Sequence, residues 1–169
     1  MDQNTENKTD FKDKIINFYY LNKIKLIIFT IIIFLSMTSI AFLKNYYVKK
    51  NIFIAEKYIE AGLYLVSDNK EKAREVYDEI IFSKNKFYSV LALNNILEKE
   101  LVSDRAKIDE YFDILEKMNL SKDNTELVNL KKALYLIKNG HFESGNELLE
   151  QLIKNNSKLK PLITEILEK

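Results

Sequence analysis

The sequence predicts an all-α chain: one membrane-spanning helix near the N-terminus, then about three antiparallel helical pairs and a terminal helix. Three observations carry this. Residues 26–43, LIIFTIIIFLSMTSIAFL, hold no charge. Glycine and proline number three and one in 169 residues. Apolar residues beyond Tyr47 recur at helical spacing, with no sustained alternation of the strand kind.

The uncharged run comes first. At about 1.5 Å of rise per residue, eighteen residues reach roughly 27 Å, close to the hydrocarbon thickness of a bilayer. Twelve of them, between Leu26 and Leu43, are Ile, Leu or Phe. At a few tenths of a kcal/mol each, these favour insertion by roughly 4–7 kcal/mol, less the small cost of Thr30, Ser36, Thr38 and Ser39. Lys25 and Lys44 bracket the run, and Tyr19-Tyr20 and Tyr46-Tyr47 stand outside it, where aromatic rings suit the headgroup level. A cleaved signal peptide fits poorly. The leader of about 25 residues contains Asp2, Glu6, Asp10 and Asp13, and Ser39-Ile40-Ala41 is a weak cleavage match. A buried core helix fits poorly too, since the segment is apolar all round and little else in the chain would surround it. The division expected is 1–23 as a short cytoplasmic tail, 24–46 as the transmembrane helix and 47–169 as the helical domain.

Charge excludes one class of partner. Residues 58–169 hold seventeen basic and twenty acidic side chains, with Arg74 and Arg105 the two arginines. Phosphate-backbone binding needs clustered positive charge and base readout leans on arginine, so nucleic acid is not an expected partner. Without cysteine there is no disulfide, thiolate zinc site or cysteine nucleophile. Five lysines before the span and four in residues 44–57 leave the positive-inside rule undecided. The abundance of Ile (21), Lys (24) and Asn matches the bias of AT-rich bacterial genomes.

The helices follow in order. Ile52, Ala55, Ile59, Leu63 and Val66 make one apolar stripe. Asp68, with Glu71 as in a capping box, opens a second helix on Ala73, Val76, Tyr77, Ile80 and Ile81. Phe87, Val90, Leu91, Leu97 and Leu101 mark a third. Ser103-Asp104 turns into a fourth, on Ile108, Tyr111, Phe112 and Leu115. Asp123 and Glu126 form another expected capping box, opening a fifth on Leu127, Leu130, Leu134 and Ile137, which Asn139-Gly140 ends. Phe142, Leu148, Leu149 and Leu152 line a sixth. Pro161 suits the first turn of a seventh, with Leu162, Ile163, Ile166 and Leu167. Short connections make neighbours antiparallel.

The pairs also repeat. Ala61, Tyr64, Ala73 and Tyr77 return in kind, 72 residues on, as Ala133, Leu136, Gly145 and Leu149. That is two units of about 36, with twelve residues between the two small side chains in each. Small residues let paired helices approach, and the large residue a turn later fills the seam. This is the physical content of the tetratricopeptide pattern, whose period is 34. The middle pair, Ala92 and Ala106, stands fourteen apart.

The order of parts resembles the YfgM family, ancillary inner-membrane partners of the bacterial Sec translocon. The stretch Lys84–Leu101, KNKFYSVLALNNILEKEL, is similar to that family's K-N-x-Y-x-x-L-A-x-L-x-L-A segment through Tyr88, Leu91, Ala92 and Leu93. ALYLIKNGHFESGNELLEQL, from Ala133 to Leu152, is similar to its later hairpin. The likeness covers residues about 12–155, and the family usually continues for a further hairpin. It implies an inner-membrane protein with the N-terminus cytoplasmic and the repeat domain periplasmic. Its implied partners are Sec translocon subunits and a membrane-anchored peptidyl-prolyl isomerase-like chaperone.

No chemistry is expected. His141, the sole histidine, reads as a surface or capping residue. Carboxylates alternate with lysines as on a solvated face, and no phosphate loop, nucleophile elbow or metal spacing occurs. No cofactor, metal or small-molecule substrate is therefore expected, and the chain reads as a non-enzymatic adaptor, or as a structural scaffold for another envelope complex. Tyr58, Tyr64, Tyr77, Tyr88, Tyr111 and Tyr135 have two readings, packing between helices or lining a groove that accepts an extended peptide. The groove residues that bind a partner are not legible.

Overall fold

The structure, a computed structural model, describes residues 3–167. Among these it is all-helical, with seven helices and no strand: α1 (Gln3–Val66), α2 (Lys70–Phe82), α3 (Tyr88–Glu98), α4 (Arg105–Glu116), α5 (Lys122–Lys138), α6 (Phe142–Lys154) and α7 (Lys160–Leu167). The chain divides into two compact units, Met1–Lys49 and Lys50–Lys169.

The first unit holds the candidate span. One helix here is long and apolar enough to cross a membrane, and its most apolar window is wholly unburied. Ile27 to Leu43 are all exposed, a surface that water disfavours and lipid accepts. The polar groups in it are satisfied locally. Thr30 Oγ1 donates to the Leu26 carbonyl at 2.9 Å, Ser36 Oγ to Ile33 at 2.7 Å and Thr38 Oγ1 to Leu35 at 2.9 Å. Those bonds remove most of the cost that hydroxyls carry in hydrocarbon. The lysine-bearing stretch 44–51 is helical as well, since nothing in it breaks a helix.

The second unit is built around two cores. The larger gathers Ile54 and Ala61 from the end of α1 with Ala73, Tyr77, Ile80 and Ile81 of α2, Ala92, Leu93 and Ile96 of α3, and Ile108, Tyr111, Phe112 and Leu115 of α4. The smaller joins Leu130 and Ala133 of α5, Leu149 and Leu152 of α6 and Ile163 of α7. Buried Tyr111 donates its hydroxyl to the Asp78 carboxylate, whose other oxygen lies 3.7 Å from Arg74. Burial, with that carboxylate beside it, pushes the Tyr111 phenol far above its ordinary pKa.

One turn design recurs. At the ends of α1, α3, α5 and α6 a residue at positive φ (Asp68, Glu100, Gly140, Asn156) lets the next N–H reach back five residues. These bonds run from Asn69 to Tyr64 (2.8 Å), Leu101 to Ile96 (3.0 Å), His141 to Leu136 (2.9 Å) and Ser157 to Leu152 (3.1 Å). This is the Schellman closure; it satisfies the last carbonyls and reverses the chain within a few residues.

Four expectations are corrected. The stripe Ile52, Ile59, Leu63 and Val66 is exposed, and Ile54 and Ala61 enter the core in its place. Asp68 is the left-handed turn residue, while Asn69 caps α2 by accepting from Lys72 N–H at 3.2 Å. Ser121, not Asp123, caps α5, and Glu126 is buried: its Oε2 accepts from Ser157 Oγ at 2.6 Å and from Lys158 N–H at 3.2 Å, tying α5 to the turn before α7. Phe87, Phe142, Leu162 and Leu167, expected to line helices, are exposed, and so is Ala106.

The glycines give a sharp contrast. A Cβ on Gly145 would stand 2.8 Å from the Ala133 carbonyl oxygen and 2.5 Å from Ile137 Cγ1; on Gly62 it would meet nothing within 4 Å. Gly62→Ala is therefore expected to stabilise the fold by up to about 1 kcal/mol through helix propensity. Gly145→Ala should destabilise it by roughly 1–3 kcal/mol, because the α5–α6 seam must open. Thermal unfolding of the two variants checks the opposite signs.

Candidate partner-binding cleft

The turn at Glu100 bends the chain so that the end of α3 and the start of α4 stand against the second half of α5. Between them lies a cleft of about 410 Å³. Its floor is apolar, with Ile96 and Ile108 buried and Leu97, Val102, Leu134 and Tyr135 half-buried around them. The volume suits one or two large side chains of a bound segment.

Charge rims the cleft in matched pairs. Lys131 of α5 donates to Glu98 Oε1 of α3 at 3.2 Å, and Lys138 pairs with Glu100. The Asn94 side chain and then Lys131 lower the Glu98 carboxyl below the usual carboxylate range; Lys138 does the same for Glu100. A carboxylate depressed by folding contributes stability that is present at neutral pH and lost as pH falls through its folded value. Both rim pairs are expected to persist to the acid edge of the ordinary Glu range and to open below it. Because both are exposed, stability should change little while they do. Side-chain carboxyl NMR titration reads this directly.

Tyr135 forms part of the wall. Its ring centroid lies 6.0 Å from that of Phe112, and burial, then the Asp109 carboxylate, raise its phenol pKa. Asn139 at the lip donates to the Tyr135 carbonyl at 2.7 Å, holding the end of α5 closed. Nearby, exposed His141 accepts from the Arg105 guanidinium, whose Nε is 3.6 Å from Asp109. Among the described residues no group of three or more His, Asp or Glu side chains comes together as metal ligands would. The arrangement places an apolar floor beneath a rim of ion pairs that neutralise one another.

The residues singled out in the sequence fall in several places. Leu26 to Leu43 lie in the first unit. Ala61, Ala73 and Tyr77 are buried in the larger core, with Tyr64 half-buried at its edge; Ala133, Gly145 and Leu149 are buried around the smaller, with Leu136 half-buried. Burial pushes the Tyr77 phenol up to about 12. Tyr58 packs on Tyr77 and Tyr88, with centroids at 5.8 and 5.6 Å, and its hydroxyl accepts from Asn95 at 2.8 Å. The six tyrosines Tyr58, Tyr64, Tyr77, Tyr88, Tyr111 and Tyr135 thus touch core, while Tyr135 also faces the cleft, and Tyr58 and Tyr77 line a second groove beside Gly62. The rim pairs, 33 and 38 residues apart, have no local signature in the sequence.

The class these observations define is, among the described residues, an all-helical protein with one candidate membrane-crossing helix and an apolar cleft rimmed by ion pairs. Among known proteins, no family model, no curated protein and no solved structure matches the chain.

Proposed function

We propose that this protein is a non-enzymatic membrane-anchored adaptor. Its helices beyond Lys50 form a tetratricopeptide-like stack of three pairs and a terminal helix. That domain binds partner proteins on the periplasmic side of the Sec translocon, beside a membrane-anchored chaperone, and assists the handling of secreted chains. The close approach of Ala133 and Gly145, with Ala61 and Ala73 at the equivalent 72-residue offset and also buried, supports the stacked pairs. The local sequence likeness described above supports the translocon setting and the N-in orientation.

The cleft between α3, α4 and α5 is the observation that carries the binding role. An apolar floor ringed by self-neutralised charge accepts an uncharged side chain of an extended segment and shows no preference for its net charge. A photo-crosslinking amino acid in place of Leu134, on the cleft wall, provides the test, with exposed Glu150 on α6 as the control site. Adducts to exported chains and translocon or chaperone subunits are expected from Leu134 alone. Adducts to cell-wall or outer-membrane assembly enzymes would instead make the protein a scaffold of those complexes, and none at either site would remove the binding role.

A further inference from the structure

The last turns of α1 have two apolar faces, and the fold uses one. Ile54 and Ala61 are buried at 4% and 0% exposure, while Ile52, Ile59, Leu63 and Val66 stand out at 53%, 63%, 62% and 87%. Ile52, Ile59 and Val66 recur at seven-residue intervals. The positions between them along that seam are Ala55 and Gly62, both small and half-buried, and Gly62 has open space where a Cβ would point. From 52 to 66, every first and fourth position of this seven-residue frame is apolar or small. Isoleucine and valine at the first position suit a parallel two-stranded coil. The leucine usual at the fourth position is replaced here by the smaller Ala55 and Gly62, which let two helices approach closely.

We infer that this stripe pairs with the same stripe of a second copy, making the protein a parallel homodimer along α1. The inference rests on the membrane anchoring proposed above. Two chains inserted by the same span, which ends at Leu43, 9 residues before Ile52, carry identical stripes at the same distance along the chain from the bilayer, so that the stripes can meet in register. A two-fold axis then satisfies both copies with one surface. Charge agrees: Glu56 lies on the flank of this seam, so no like charges face each other across it. Area explains why the anchor is needed. Stable dimers bury about 1,200–2,000 Å² in total, and a seam of this length falls short, so confinement in the bilayer supplies the effective concentration.

The cysteine-free chain makes the test direct. Two differently tagged full-length copies are co-expressed, each carrying one cysteine at Ile52, Ile59 or Val66, or at the flanking Phe53, Lys57 or Glu60. Native membranes are then oxidised and extracted with carbonate. A disulfide dimer containing both tags, several-fold stronger at 52, 59 and 66 than at 53, 57 and 60, is expected. Equal yields at all six sites, no dimer, or adducts holding one tag and a different protein would each overturn the inference while the chain stays in the carbonate pellet. Loss from the pellet would instead refute the anchoring on which it rests.

Discussion

Replacing Phe34 and Leu35 together with arginine is expected to release the protein from the membrane. Both sit at the middle of the uncharged run and are exposed in α1. The twelve large apolar residues supply roughly 4–7 kcal/mol of insertion free energy, and each central arginine costs about 2.5–3.5 kcal/mol. Two of them, with two apolar side chains lost, cancel or reverse the gain. Carbonate extraction should move the variant from pellet to supernatant. Ile52→Ser and Ile59→Ser, which lie outside the span, should leave the pellet unchanged. Retention of the double-arginine variant would mean that something other than residues 26–43 holds the chain.

Phe112→Ala should be the most damaging single change in the domain. Phe112 is fully buried in the larger core, its ring near Tyr135 and under the Lys132 ammonium, 5.9 Å from the centroid. Truncating a buried phenylalanine costs about 3–5 kcal/mol, transfer and cavity together. That is a large share of the roughly 5–15 kcal/mol by which domains are stable, so a fall in Tm of more than 10 °C is expected, at several °C per kcal/mol. Because Tyr135 leans on Phe112, the cleft wall should loosen as well. Partner crosslinking at Leu134 should weaken at temperatures where circular dichroism still reports a folded domain. Full crosslinking with an unchanged melting curve would contradict the packing described here.

What could be read before the structure follows physical locality. The span needs only composition, because lipid asks for apolar surface on every side and for backbone groups bonded within the helix. Turn positions were legible where one residue type satisfies a backbone need, as at Gly140, whose φ is +83°. They were misread where two neighbours could serve. Asp68 and Asn69 both offer a capping oxygen, and the chain uses the asparagine side chain as cap and the aspartate as the left-handed turn. The face of residues 52–66 was misread because that segment is apolar nearly all round, so periodicity proposes two stripes and only tertiary packing selects Ile54 and Ala61. Glu126 looked like half of a capping box; its partner Ser157 lies 31 residues away. The cleft was illegible for the same reason, since Glu98 meets Lys131 only after α3, α4 and α5 have packed.

The side of the membrane that the helical domain faces decides the proposed role most directly. Single cysteines in place of exposed Asn17, before the span, and exposed Lys86, in the turn after α2, can be probed with a membrane-impermeant maleimide on cells whose outer membrane has been opened. Labelling is predicted at position 86 while the inner membrane is whole, and at position 17 only after lysis. Labelling at 17 with protection at 86 would contradict it.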